Sequence, residues 1–295
     1  MDINPITKKS LAYAAIFSFF IILALLCRQL FDNRTTVVFC DVGQGDATYI
    51  RIKNKIDVLV DAGPDKKVLD CLGHYMPFYD RTIELAVISH SQKDHVGGLR
   101  FILDRYTIGR LIVGPLDDPS VIFEQIKQML VTKKVPVTAG QAGLDIAIAG
   151  DRLDFYWPTR QYIDQNIVFT RHSNNLSDIL GESTINDNNF SLILSLKENG
   201  QRILFTGDAS AEVLDRLSPQ YISHIDILKI PHHGSKNGLN RKFLELADPG
   251  VAVISVGAKN SYHHPAGEVL EALQAIGTKV RRTDREGDIV YRIPN

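Results

Sequence analysis

Cysteine and tryptophan are scarce in this chain: its 295 residues include three cysteines and one tryptophan. Three cysteines do not supply the disulfide framework of a small secreted domain, so stability must come from a packed core. Cys40 lies in an apolar stretch and Cys71 in a mixed one, and buried free thiols are the default expectation for both. A Cys40–Cys71 bridge remains an open alternative.

An excess of either charge is also lacking. The chain carries 33 Lys and Arg against 34 Asp and Glu, a formal net charge of −1. It therefore lacks the global basicity that is typical of nucleic-acid-binding proteins. The hydrophobic fraction of 44% is ordinary for a globular protein. The length permits one large or two small domains, and we expect one folded domain over residues 32–295.

One stretch of the chain forms a long apolar run. Residues 11–27 contain no charged side chain and follow two lysines. The run predicts a single-pass membrane anchor within residues 1–31, with the folded domain outside the cytoplasm. A cleaved signal peptide is the alternative, but no small-x-small cleavage site follows cleanly, and Leu26 is too bulky for the usual lipid attachment at Cys27.

Two histidines and an aspartate lie between a predicted strand and a predicted helix. The apolar run Leu85–Ile88 predicts a buried strand, and Gly97-Gly98 predicts a turn into a helix. His90, Asp94 and His95 therefore lie on a tight connection. Imidazole nitrogens and carboxylate oxygens bind zinc, manganese or iron. The connection predicts part of a metal site; the alternative is a polar loop with unrelated histidines.

Further polar side chains follow other predicted strands. Asp61, Asp208 and the pair His232-His233 each come directly after an apolar stretch. On its own, Asp61 would be an ordinary turn aspartate. Because such residues recur at strand ends, we expect them to gather at one site.

The rest of the chain alternates between predicted strands and helices. Ser120 is a predicted N-cap for a helix through Lys133. Hairpins are predicted over residues 144–157, 191–205 and, last in the chain, 279–292. A long loop is predicted over residues 158–188. The pattern predicts two packed sheets flanked by helices.

The segment from His90 to His95 resembles the H-x-H-x-D-H motif of the metallo-β-lactamase superfamily. Within that superfamily the chain is most similar to the C-terminal domain of the ComEC group of competence proteins. The narrower resemblance rests on Phe39-Cys40-Asp41-Val42-Gly43-Gln44-Gly45-Asp46-Ala47, Asp61-Ala62-Gly63, Asn189 to Leu194, Thr206-Gly207-Asp208, Leu228 to Ser235, and Ser255 to Pro265. It implies an α/β fold, an αββα sandwich with its site at one edge between the sheets.

The resemblance also implies one or two divalent ions, zinc or manganese. The position of Asp208 would bridge two ions, and the position of Asp61 would orient the histidines rather than bind metal. One ion would be held by Asp94, His95 and His233, and the other by His90. His232 is a close alternative to His233.

Gln92 departs from the superfamily pattern, which commonly has histidine there, and from the ComEC group, which often has aspartate. A neutral amide is a weaker ligand than a carboxylate. Asp187 or Asn189 would have to supply a further ligand. We therefore expect the ion near His90 to bind more weakly than the other.

The implied activity is metal-dependent hydrolysis, with a phosphodiesterase or nuclease acting on DNA outside the membrane as the first hypothesis. Asn260, Tyr262 and His264 would orient a phosphate or protonate the leaving oxygen beside Asp94 and Asp208; alternatively, they only form a polar loop. With at most one membrane span, the chain would work beside a separate channel or DNA-uptake component, or independently. The other hypotheses are a hydrolase of phosphorylated cell-wall, lipid or small-molecule substrates, and a non-catalytic binding module.

Overall fold

The computed structural model describes residues 8–31, 33–169 and 179–294. The helices in this part of the chain are α1 (Lys8–Phe31), α2 (Val68–Tyr75), α3 (Lys93–Val96), α4 (Leu99–Arg105), α5 (Val121–Thr132), α6 (Arg160–Asn166), α7 (Ala211–Asp215), α8 (Pro219–Ile222), α9 (Arg241–Ala247), α10 (Gly267–Ala275) and α11 (Thr283–Glu286). Two 3₁₀ turns cover Asp187–Phe190 and Pro231–Gly234.

The strands are β1 (Thr35–Phe39), β2 (Ala47–Ile52), β3 (Ile56–Ala62), β4 (Thr82–Ile83), β5 (Leu85–Ile88), β6 (Thr107–Ile108), β7 (Leu111–Val113), β8 (Val137–Ala139), β9 (Asp145–Ile148), β10 (Asp151–Trp157), β11 (Ile193–Glu198), β12 (Gln201–Phe205), β13 (Ile227–Lys229), β14 (Val251–Ile254), β15 (Lys279–Arg282) and β16 (Ile289–Ile293).

Two seven-stranded sheets form the centre of the fold. The first has the order β16-β1-β2-β3-β5-β7-β8, and the second has the order β15-β14-β13-β12-β11-β10-β9. Strands β3, β5, β7 and β8 run parallel in the first sheet, and β12 to β15 run parallel in the second. Each sheet thus has a row of parallel strands whose carboxyl ends share one edge.

The core has three layers because alternate strand residues face opposite sides of a sheet. In β1, Val37 and Phe39 pack between the two sheets with Phe155 of the second sheet. The intervening Val38 packs under the helices of the first sheet, together with Leu99 of α4. A third cluster lies between the second sheet and α6 to α10. This arrangement is the predicted αββα sandwich.

Several predicted elements are confirmed. Helix α5 begins directly after Ser120, whose Oγ accepts a hydrogen bond from the Phe123 backbone N–H at 3.3 Å, as expected of an N-cap. Strands β9 and β10 pair antiparallel, and so do β11 and β12, within the two hairpins expected from the pattern.

The predicted final hairpin is wrong. Strand β15 pairs in parallel with β14 in the second sheet, whereas β16 pairs antiparallel with β1 in the first sheet. Helix α11 lies between them, and the Thr283 hydroxyl donates a hydrogen bond to the Val256 carbonyl at 3.1 Å. The turn residues between β15 and β16 predict a hairpin locally, but they carry no information about the pairing of β16 with the distant strand β1.

The predicted loop over residues 158–188 is also partly wrong. Helix α6 begins after Thr159, whose Oγ accepts a hydrogen bond from the Tyr162 N–H at 3.2 Å. Tyr162 and Ile163 of this helix are buried in the core of the second sheet. The threonine cap was the signal that could have predicted the helix.

Cys40 and Cys71 form a disulfide, which corrects the expectation of free thiols. The bridge joins the residue after β1 to α2, and it spans 31 positions of sequence. Both side chains are buried in the core of the first sheet. The scarcity of cysteine thus excluded a framework of disulfides but not a single bridge.

The predicted membrane anchor coincides with α1, a helix of 24 residues. Its apolar side chains from Leu11 to Leu23 are exposed. Over the described residues, however, no helix satisfies the combined requirements of length and apolarity for crossing a membrane. The predicted transmembrane segment is therefore not supported.

Candidate metal centre

Functional side chains gather where strands from both sheets end. Strand β5 leads into His90, and the short helix α3 then carries Asp94 and His95. In the second sheet, β12 leads into Asp208 and β13 leads into His233. The carboxyl ends of parallel strands are the usual place for ligands in open α/β sheets.

Four side chains form one cluster, with all their donor atoms within 4.8 Å of one another: Asp94, His95, Asp208 and His233. His95 Nε2 lies 3.1 Å from Asp208 Oδ1, and His233 Nε2 lies 3.2 Å from Asp94 Oδ2. His95, Asp208 and His233 are buried, whereas the Asp94 side chain is 32% exposed. The cluster therefore has one side open to solvent.

The backbone at the cluster adopts conformations that most residues avoid. His232 and His233 have φ values of 50° and 52°, and Gly207 has a φ of 48°. A Cβ on Gly207 would lie 2.9 Å from the Ser89 Cβ, so only glycine lets the two sheets approach this closely. Non-glycine residues at positive φ often mark functional sites, because surrounding structure must compensate for the strain.

Asp61 orients His95, as the resemblance implied. Its Oδ2 lies 2.9 Å from His95 Nδ1, and it accepts hydrogen bonds from the Ser89 backbone N–H at 2.7 Å and the Ser89 hydroxyl at 2.9 Å. The carboxylate fixes the proton on Nδ1, so Nε2 of His95 is directed into the cluster.

His233 is oriented by a group that the sequence reasoning did not single out. Its Nδ1 lies 3.0 Å from the Ser255 carbonyl oxygen and 3.3 Å from Asp46 Oδ1. Asp46 in turn lies 2.6 Å from the Lys229 ammonium, and both side chains are about 95% buried or more. A lysine inside a strand that is otherwise apolar was the available signal, because buried lysines require a partner.

Opposite charges shift the pKa values of the cluster in opposite directions. Burial opposes protonation of His233, but Asp208 and Asp46 outweigh it and raise the pKa of His233 to about 10. In the same way, Asp208 and Asp61 overcome burial and raise the pKa of His95 well above its ordinary value. Burial would raise the pKa of Asp208, but His95 and His233 hold it well below the usual range. The carboxylates are thus ionised and ready to bind a cation.

The cluster fits a divalent metal ion. Among the described residues, the buried His90 Nε2 has no hydrogen-bond partner, and the buried His95 Nε2 and Asp208 Oδ1 have only their mutual ion-pair contact at 3.1 Å. Buried polar atoms normally have partners, so their convergence indicates a ligand. Two imidazoles and two carboxylates suit zinc, manganese or iron. The chain would hold the ion with Asp94, His95, Asp208 and His233.

His90 stands beside this group rather than within it. Its ring centroid lies 4.1 Å from that of His95, and its Nδ1 lies 3.1 Å from the Ser89 hydroxyl. Burial and His95 lower the pKa of His90 to about 4, so it is a neutral imidazole with a free Nε2. A second ion near His90 stays a prediction.

Two of the residues predicted to support that second ion hydrogen-bond to other groups. Gln92 Nε2 donates a hydrogen bond to Asn188 Oδ1 at 3.0 Å. Asn189 accepts hydrogen bonds from the Trp157 indole at its carbonyl and from the Ser210 hydroxyl at its amide oxygen. Asp187 lies in the neighbouring 3₁₀ turn, where burial and Asp118 raise its pKa. Asp187 belongs to neither of the described groups of candidate ligands.

The predicted catalytic loop lies next to the cluster. Asn260 uses its amide to hold this loop, donating to the Gly257 and His264 carbonyls at 2.8 and 2.9 Å, so its amide is not free for a phosphate. His264 packs against His232, and Tyr262 stacks on His264. The His232 Nε2 lies 3.7 Å from Asp208 Oδ2. His172, a further histidine within the loop predicted over residues 158–188, falls outside the described residues.

Curated relatives include proteins of bacterial competence. The chain is 28% identical over 280 residues to ComE operon protein 3 of Bacillus subtilis, covering 86% of this chain and 32% of that protein. It is 28% identical over 271 residues to Recombination protein 2 of Haemophilus influenzae, covering 90% of this chain and 30% of that protein. The chain therefore spans about a third of the length of these relatives.

Solved structures share the fold at low identity. The metallo-beta-lactamase fold protein YhfI from Bacillus subtilis superimposes with a TM-score of 0.53 at 13% identity, covering 87% of this chain and 99% of that one. Zn(2+)-bound PqqB from Methylobacterium extorquens gives 0.52 at 11% identity, covering 87% and 99%. The family model described as the metallo-beta-lactamase superfamily matches residues 40–258. By fold, metal-ligand cluster and family match, the chain belongs to the metallo-beta-lactamase superfamily.

Proposed function

We propose that this chain is a metal-dependent phosphodiesterase that cleaves DNA. The observation that carries the proposal is the open side of the buried ligand cluster, where Asp94 and His232 reach solvent beside three buried ligands. An extended phosphodiester can approach such a rim without entering a closed pocket.

The side chains have separable roles in this proposal. A divalent ion bound at the cluster supplies Lewis acidity toward a phosphoryl oxygen and lowers the pKa of water. Asp61 and the Ser255 carbonyl hold the two ligand imidazoles by their Nδ1 atoms, so that each Nε2 stays aimed at the cluster. Burial, together with His232 and His233, lowers the pKa of His264, which therefore offers a neutral imidazole to the substrate.

The names of the relatives support DNA as the substrate. ComE operon protein 3 and the competence protein ComA of Neisseria gonorrhoeae are named for competence, and Recombination protein 2 is named for recombination. Both processes act on DNA. Because the chain matches only about a third of each relative, its cooperation with a separate channel or DNA-uptake component is part of the proposal.

The proposal includes attachment of the chain to a membrane through its N-terminal segment, with the folded domain outside the cytoplasm. Protease added to intact cells should remove the folded domain while cytoplasmic control proteins survive. Full protection of the domain until lysis would reject this location.

The test of the activity uses the purified full chain with labelled single-stranded and double-stranded DNA, and with bis(p-nitrophenyl) phosphate as a small phosphodiester. Manganese or zinc should support cleavage, and a chelator should stop it. Asp208→Asn removes an anionic ligand and should abolish activity and bound metal. Asp164→Asn, a surface change on α6, is the matched control and should retain both.

The outcomes separate the alternatives. Hydrolysis of phosphorylated cell-wall, lipid or other small substrates without DNA cleavage would replace the proposed substrate. Protein that binds no metal and cleaves no substrate would support the alternative of a non-catalytic binding module. An Asp208→Asn variant that folds and keeps wild-type activity and metal content would contradict the assigned centre.

A further inference from the structure

Three aromatic rings extend from the metal centre to the surface; we call Tyr262, His264 and His232 the ring stack. The Tyr262 and His264 rings are nearly parallel, at 17° with centroids 5.8 Å apart. The His264 and His232 rings meet edge to face at 69° with centroids 5.9 Å apart, and the rings of His232 and the ligand His233 meet edge to face at 71° with centroids 6.2 Å apart. The rings thus form a continuous series that begins at a metal ligand.

The outer ring has a face available for binding. Tyr262 is 67% exposed, and among the exposed aromatic side chains of the described residues it is the one that contacts a ring next to the metal centre. Its ring is supported on one side by His264, so the opposite face is directed toward solvent. A tyrosine in this position gains little for folding, and exposed aromatics beside a site are typical of ligand recognition.

The loop that carries Tyr262 is fixed before any ligand binds. The Asn260 side chain donates to the carbonyls of Gly257 and His264, and it accepts a hydrogen bond from the His264 backbone N–H at 2.9 Å. His263 has a φ of 57°, in the conformation that glycine favours. A preorganised loop loses less conformational entropy when a ligand binds.

Three exposed lysines are close in sequence to residues of the site. Lys93 precedes Asp94 directly, Lys236 lies three residues after His233, and Lys259 lies three residues before Tyr262. All three lysines are exposed, and none forms an ion pair with a residue in the described ranges.

We propose that the ring stack is a base-binding platform for single-stranded nucleic acid. An unpaired base of the bound strand stacks on the free face of Tyr262. The three lysines contact phosphates of the same strand. This inference rests on the proposed phosphodiesterase function and adds the substrate class. A base inside a duplex is already stacked on both faces, so the platform selects unpaired strands over duplexes.

The magnitude follows from known stacking contributions. Loss of one aromatic platform should weaken the binding of a base-containing strand by roughly 5- to 150-fold. Phenylalanine keeps the ring, so Tyr262→Phe should bind within about twofold of wild type, whereas Tyr262→Ala should show the full loss. An abasic strand of the same length carries the same phosphates but offers no face to stack.

The experiment measures fluorescence anisotropy of a labelled oligothymidylate and of its abasic counterpart, with the full chain in chelator so that no cleavage occurs. Tyr262→Ala should bind oligothymidylate roughly 5- to 150-fold more weakly than wild type, and should bind the abasic strand equally well. Phe78→Ala is the matched control, because Phe78 is 85% exposed in a turn remote in sequence from the site, and it should not change binding.

Three results would overturn the platform: equal loss of affinity for both strands in Tyr262→Ala, no loss for oligothymidylate, or equal wild-type binding of oligothymidylate and its duplex. Wild-type protein that binds neither strand would also overturn it. Failure of the proposed function is a separate result, namely absence of cleavage of any phosphodiester by metal-loaded wild type, because the binding comparison requires no turnover.

Discussion

Removal of the Lys229 charge should destabilise the fold, because Lys229 pairs with the buried Asp46 carboxylate beside the metal centre. Its ammonium lies 2.6 Å from Asp46 in a site from which water is excluded. At an effective dielectric constant of about 20, two unit charges at this distance attract by roughly 6 kcal/mol. Desolvation offsets part of this attraction, and removal of one partner from a buried pair typically costs about 3–5 kcal/mol.

Lys229→Met keeps the length and apolar stem of the side chain but leaves the Asp46 carboxylate buried without its cation. Burial would raise the pKa of Asp46, and Lys229 and His233 now hold it below its ordinary value. A lowered carboxyl pKa stabilises the fold above the unfolded pKa and loses that effect as the pH falls. The variant should therefore be about 3–5 kcal/mol less stable at pH 7, with a smaller deficit in acid.

Urea unfolding of the full chain at pH 7, in chelator, measures this difference. Thermal unfolding under the same conditions should show a melting temperature lower by about 6–20 °C, given about 2–4 °C for each kcal/mol in a domain of this size. Asp46→Asn combined with Lys229→Met removes both charges and should recover part of the loss. Lys55→Met, at an exposed turn, is the matched control and should change stability by less than about 0.5 kcal/mol. A loss below about 1 kcal/mol for Lys229→Met, or strictly additive losses in the double variant, would refute the reasoning.

Four further predictions concern the centre and its surroundings. Because the pKa of His233 is about 10 without metal and that of His95 is also raised well above its ordinary value, metal binding must displace a proton from each ring; affinity should rise by more than about tenfold per pH unit between pH 6 and 8, and a pH-independent affinity by calorimetry would contradict this. The same raised pKa stabilises the metal-free fold fully below pH 6.5, the ordinary value for histidine, and this stabilisation declines as the pH approaches 10. Cys71→Ser opens the bridge to Cys40 and should cost about 3–4 kcal/mol of unfolding free energy for a loop of this length, whereas thiol titration that finds both cysteines free would exclude the bridge. Gln92→Asp should lower the metal concentration for half-maximal activity by about 10-fold or more, and an unmoved titration would reject a weak site near His90.

The positions of the metal ligands could be predicted because they depend on local patterns. Asp94, Asp208 and His233 each follow an apolar strand, and parallel strands bring such positions to one edge. The pattern predicts only that these residues gather at one edge, and their assignment as metal ligands rests on the resemblance to the superfamily. The same patterns placed Ser120 at the start of α5.

The partners of buried groups could not be predicted, because they depend on contacts between distant segments. Asp46 and Lys229 are separated by most of the chain, and neither residue type specifies the other. The Cys40–Cys71 bridge required α2 to pack against the end of β1. The amide nitrogen of Gln92 donates a hydrogen bond to Asn188, a contact between segments that are far apart in the chain.

The position of β16 has a consequence for the order of events during synthesis. The first sheet is built from residues 35–139, except for β16, which covers Ile289–Ile293 and pairs with β1. Until β16 leaves the ribosome, β1 is an edge strand with unpaired backbone groups, a known template for aggregation. About 150 residues separate the two events, which at ordinary elongation rates is roughly 8–30 s. The nascent chain therefore has a vulnerable interval, during which a chaperone or the rapid assembly of the second sheet must protect the edge of β1.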